Sequence, residues 1–161
     1  MPEKKTIERA RRDRRQGKSA STQAGEFVRE EMEHIRKGKH GARSTRQAIA
    51  IGLSKARRAG VKLPASKTAP AATKRKAKQD TRKAASHATP SRRRSRATTT
   101  ALKREGRSAA SRSSLARQAR SAASKRSAAS RSAAAKKGAR TKGSVVRRRA
   151  AKKAARTRAR R

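Results

Sequence analysis

The sequence predicts a mostly disordered chain that carries one small all-α helical hairpin near its N-terminus, with a tail that turns helical in patches when it binds. Three observations carry that prediction. The chain holds 51 Lys and Arg against 9 Asp and Glu in 161 residues, a formal net charge of +42. Hydrophobic residues make up 31% of it, but 35 of those residues are Ala, so about 15 larger apolar side chains remain to offset the entropy of ordering the chain. Nine of these lie between residues 22 and 63, the one stretch able to build a core.

Residues 1–21 read as a basic flexible arm. ERARRDRRQ has weak helical character, and Gly17, Ser19 and Ser21 interrupt it. Within 22–63, Phe27, Val28, Met32 and Ile35 fall on one stripe of a helix over about 23–37, and Gly38 supplies a C-terminal stop. A second helix spans about 45–59. Ser44 with Gln47 forms a capping box, Ile49, Gly52, Leu53 and Ala56 recur at i, i+3, i+4 and i+7, and Gly60 takes the terminating position. Joined by GKHGAR, the two helices make a hairpin in which Gly52 permits close approach. A unit of about 40 residues needs further support, so 24–60 is also a candidate for self-association. From residue 64 to 161 the chain is low-complexity Ala, Ser, Thr, Lys and Arg, with SAASR-type segments at irregular spacing. Closely spaced cations repel, and that tail is expected to be disordered until a polyanion neutralises it.

The charge points to the class of partner. Residues 1–63 carry +11 and residues 64–161 carry +31, with only Asp80 and Glu105 as acids in the second stretch. Replacing condensed counterions on a polyanion is the physical drive such a tail offers. Nucleic acid is the expected ligand, ahead of an anionic membrane surface or polyphosphate. Trp and Tyr are absent and Phe27 is the sole aromatic residue, which disfavours modules that stack unpaired bases. Duplex DNA is therefore expected before RNA.

The candidate contact residues are Arg43, Arg46, Lys55, Arg57 and Arg58 around the second helix, Lys74, Arg75 and Lys76, Arg92, Arg93 and Arg94, Arg147, Arg148 and Arg149, and Lys152 and Lys153. Arg43 and Arg46 flank a helix N-terminus, a natural phosphate site. Lys55, Arg57 and Arg58 read equally well as complements to the negative end of that helix. Thr89-Pro90-Ser91-Arg92 has the form of a turn presenting cations.

Other chemistry is disfavoured. There is no Cys, hence no disulfide, thiolate metal site or cysteine nucleophile. The longest apolar stretch, Ala48 to Leu53, is too short for a membrane span or a signal peptide. GKHG lacks the spacing of a nucleotide-binding loop. Glu30, His34 and His40 have no paired metal-ligand spacing, and Glu26, Glu30, Glu31 and Glu33 match helical pairing with Arg29, Arg36 and Lys37. No enzyme, metal or cofactor is expected.

Over residues 22–64 the GKHG turn and the QAIAIGLSKARRAG helix resemble those of a family of small, basic, uncharacterised bacterial proteins that share a domain of unknown function. The resemblance implies a bacterial, cytoplasmic protein. The tail is similar in composition to linker-histone tails and to bacterial histone-like nucleoid proteins, which implies location on the nucleoid. The leading expectation is sequence-blind DNA binding and condensation. An RNA-binding or ribosome-associated protein, and a protein-interaction module localised by its polybasic tail, are the alternatives.

Overall fold

The computed structural model describes residues 2–86 and 91–159. They form seven α-helices and one short 3-10 turn: α1 (Lys4–Arg15), α2 (Ala20–Arg36), α3 (Thr45–Arg58), α4 (Ala71–Ala85), α5 (Arg92–Lys103), the turn Ser108–Ala110, α6 (Arg112–Ser124) and α7 (Ala128–Ala159). The expectation of a mostly disordered chain is thereby corrected. The supposed arm contains α1, and the supposed disordered tail contains α4 to α7. The chain divides into two units, residues 1–118 and 119–161, with the boundary inside α6.

In the first unit, α2 and α3 form the hairpin. Ser19 caps α2 by accepting from the Thr22 N–H, and Ser44 caps α3 by accepting from the Gln47 N–H at 3.2 Å. Gln47 returns the interaction, its Oε1 accepting from the Arg43 N–H at 2.8 Å, one residue before the usual capping-box donor. Both helices end on a glycine with positive φ, Gly38 at 73° and Gly60 at 91°, a conformation that a Cβ would strain. The Lys39 and Val61 N–H groups then return to the His34 and Ala56 carbonyls and satisfy the last turns. Gly52 sets the closeness of the pair: a Cβ there would lie 2.8 Å from Val28 Cα.

Small side chains explain why the rest of this unit folds. Among the described residues, eight of the twelve buried hydrophobic residues are Ala. One core cluster joins Met32, Ile35, Ala42 and Ala48 of the hairpin to Ala109 and Ala110, with Val28, Ile49 and Leu115 at its edge. The other joins Phe27, Ala24, Ala56 and Val61 to Ala10 of α1, with Ile7, Leu53 and Leu63 packed against it. A count of large apolar residues misses these contacts. Alanine buries less surface but loses no side-chain rotamer entropy and lets backbones come close.

Residues 102–111 are pinned to the hairpin by polar bonds as well. The Gly41 N–H donates to the Leu102 carbonyl at 2.8 Å and the Ala42 N–H to the Gly106 carbonyl at 3.0 Å. Thr45 Oγ1 donates to the Ala109 carbonyl at 2.7 Å and Arg36 Nε to the Ala110 carbonyl at 2.9 Å. Gly41 is required by the same docking, because a Cβ there would fall on the Glu105 carbonyl.

The second unit comprises the end of α6 and α7. Among its described residues none is buried, and Val145 and Val146 are 63% and 54% exposed. The helical path of α7 breaks at Gly143, where φ is 69° and ψ 168°.

Candidate nucleic-acid interface

The few acids of this chain are largely turned inward. Glu31 is fully buried and bonds Lys55 Nζ through Oε2 at 2.6 Å. Asp80, also fully buried, accepts from Ser54 Oγ at 2.6 Å and from Arg58 Nε at 3.0 Å, with Lys76 Nζ at 3.5 Å, and so fastens α4 to α3. Burial alone would push the Asp80 carboxyl up; the Ser54 bond and the Arg58 and Lys76 charges outweigh it and hold it below the usual range. Asp13 pairs with Lys18 at 2.7 Å, and Glu26 with Arg9 at 2.7 Å. Exposed Glu3 bonds His34 Nε2 at 2.9 Å and Lys39 Nζ at 3.0 Å, which lowers its carboxyl to about 2, the His34 hydrogen bond being the larger cause.

The cations are distributed in the opposite sense. Among the described residues, only seven Lys and Arg lie in ion pairs with Asp or Glu: Arg9, Lys18, Arg29, Lys39, Lys55, Arg58 and Lys76.

The candidate contact residues divide accordingly. Three of those around α3 serve the protein's own fold. Lys55 is held by Glu31, Arg58 by Asp80, and buried Arg57 donates from Nε to the Leu63 carbonyl at 2.9 Å. Arg43 is exposed at the start of α3, and exposed Arg46 donates from Nε to Gln118 Oε1 at 3.2 Å. Lys74, Arg75 and Lys76 are exposed on α4; Lys76 shares Asp80 with Arg58 but keeps a side-chain exposure of 53%. Arg92, Arg93 and Arg94 form the exposed first turn of α5, whose N-terminal end has no acid to oppose its positive dipole. Thr89 and Pro90, half of the expected cationic turn, lie outside the described residues.

Arg147, Arg148, Arg149, Lys152 and Lys153 are exposed on the part of α7 that follows Gly143. Arg148, Arg149, Lys152, Lys153 and Arg156 recur at helical spacing and share one stripe, with Ala150, Ala151, Ala154 and Ala155 on the other side. The unit from 119 to 161 carries 17 Lys and Arg and no acid.

Further cationic positions come from elements the sequence left unstructured. Arg11, Arg12, Arg14 and Arg15 are exposed on α1. Arg36, Arg107 and Arg112 surround a cavity of about 390 Å³ with Ala110 and Ser111. No periodic signal in the sequence marks this cavity, because it exists only where residues 107–112 meet the end of α2. The structure also gathers Glu31, His34 and His40, whereas from sequence Glu30 is considered with the two histidines and no metal site is expected.

No described helix is long and apolar enough to cross a membrane. No curated protein and no solved structure matches the chain. Residues 3–67, which contain α1, α2 and α3, match a family of unknown function (DUF6496), so this helical region is similar to an uncharacterised domain.

Proposed function

We propose that the protein binds nucleic acid through its phosphates, without reading sequence, and that duplex DNA is the preferred form. One observation carries this reading: of the 49 Lys and Arg among the described residues, seven are paired with acids, so most of that positive charge is open to an external polyanion. A merely soluble surface mixes signs. Here the acids are used to lock helices together and the cations are left outside.

The stripe on α7 supports the same reading. Five cations over about two turns occupy roughly 12 Å of helix at 1.5 Å per residue, while a duplex presents one charge per ~1.7 Å of its axis. The two densities are of the same order, so the stripe can pair with successive phosphates. On this reading the protein acts on the bacterial nucleoid in the manner of histone-like proteins, with the residue 1–118 unit as a folded body and residues 119–161 as a condensing arm.

A mobility-shift titration with two unrelated duplexes of equal length and a structured RNA competitor tests the reading. Equal affinity for both duplexes, with RNA the weaker competitor, is expected. Tight binding to one duplex only, or displacement by RNA at far lower concentration, overturns the DNA reading. No binding of any nucleic acid at low salt overturns the reading altogether.

A further inference from the structure

We infer that Glu31, His34 and His40 form a binding site for one divalent transition-metal ion of the zinc class, joining α2 to the GKHG turn. Each of the three side chains offers a donor atom, and these atoms all lie within 4.8 Å of one another. Glu31 is fully buried, its Oε2 is taken by Lys55 Nζ, and its Oε1 has no hydrogen-bond partner. A buried carboxylate oxygen left in that state is costly unless a cation meets it.

The nitrogen facing that oxygen can offer a lone pair. His40 Nδ1 lies 3.1 Å from the Gly41 carbonyl, which can only accept, so Nδ1 carries the proton and, in the neutral ring, Nε2 holds the lone pair. His40 Nε2 stands 3.5 Å from Glu31 Oε1, too far for a strong hydrogen bond. It is the right separation for a shared ion: bonds of ~2.1 Å in a tetrahedron place ligand atoms ~3.4 Å apart. His34 has the outer partner typical of a ligand, since its Nε2 bonds the Glu3 carboxylate at 2.9 Å, which in the neutral ring leaves the lone pair on Nδ1. Glu30 is not the carboxylate of the set, because both its oxygens face the Glu3 N–H at 3.3 Å. Two imidazoles and one carboxylate suit zinc, leaving a fourth position for water.

The ion would act as a staple. His40 precedes Gly41, whose N–H holds the Leu102 carbonyl, so an ion fixed between α2 and His40 also steadies the docking of residues 102–106.

Calorimetric titration of the full chain with zinc chloride in a non-chelating buffer at neutral pH is expected to give one ion per chain and a raised Tm. His34→Gln and His40→Gln should each weaken binding by more than about 100-fold, beyond the loss typical of an outer partner, while His87→Gln leaves it unchanged. A readout on the unaltered protein covers the case of a variant that fails to fold. In proton NMR with cobalt(II), the ring signals of His34 and His40 should shift or broaden at substoichiometric metal and those of His87 should not. Absence of zinc binding, equal broadening of all three histidines, or loss of binding only in His87→Gln overturns the site.

Discussion

At the scale of single residues, two kinds of position hold the first unit together, and each fails in its own way. Gly52 is a packing requirement. In Gly52→Ala the new methyl meets the Val28 backbone, which cannot rotate away, so α2 and α3 must part. A loss of about 1–3 kcal/mol is expected from chemical denaturation. Asp80 is an electrostatic requirement. Asp80→Asn leaves Arg58 and Lys76 without their counter-charge and should cost about 1–3 kcal/mol. The pH dependence follows from the same bonds. The Asp80 carboxyl is held below its ordinary 3.8 and the Glu3 carboxyl is lowered from 4.5 to about 2. Their contribution is complete above those ordinary values and is lost as pH falls towards the folded ones. The Tm of the wild-type chain should therefore stay level from neutral pH to about 5 and decline below it, and Asp80→Asn should decline less. A Tm that rises on acidification contradicts this assignment.

At the scale of elements, the segment from residue 102 to 115 behaves as part of the hairpin's core. Ala109→Leu would force extra carbon atoms into the cluster of Met32, Ile35 and Ala48 and should cost about 1–3 kcal/mol, measured by thermal melting. Gly41→Ala should unseat the same segment by striking the Glu105 carbonyl. Since both changes break one docking, their combined effect should be less than additive. This is also the scale at which the sequence was partly legible. The α2 and α3 helices are visible in it because their apolar residues recur at helical spacing and their ends carry Ser44, Gln47, Gly38 and Gly60. The helices α1 and α4 are concealed, as they bury only small or polar residues, Thr6, Ala10 and Asp13 on α1 and Ala77 and Asp80 on α4. An alanine that packs and an alanine that faces water look alike in a low-complexity stretch. Among the candidate contacts, exposed cations were legible from charge alone, whereas the bonds of Lys55 to Glu31, Arg57 to the Leu63 carbonyl and Arg58 to Asp80 depend on the fold, Arg58 remaining exposed.

At the scale of the whole molecule, folding and binding draw on different parts of the charge. Six of the nine acids, Glu3, Asp13, Glu26, Glu30, Glu31 and Asp80, are buried or lie in ion pairs within residues 1–118, and residues 119–161 have none. Removing residues 119–161 should leave the Tm within about 2 °C of the full chain, since no described residue there is buried, while affinity for DNA falls sharply. The most direct test of phosphate-directed, sequence-blind binding is the salt dependence of Kd for the full chain on two unrelated duplexes. With about eight phosphates engaged, log affinity against log salt should be a straight line of slope near −7, the same for both duplexes. A slope near zero, or a preference for one duplex that persists as salt rises, would contradict it.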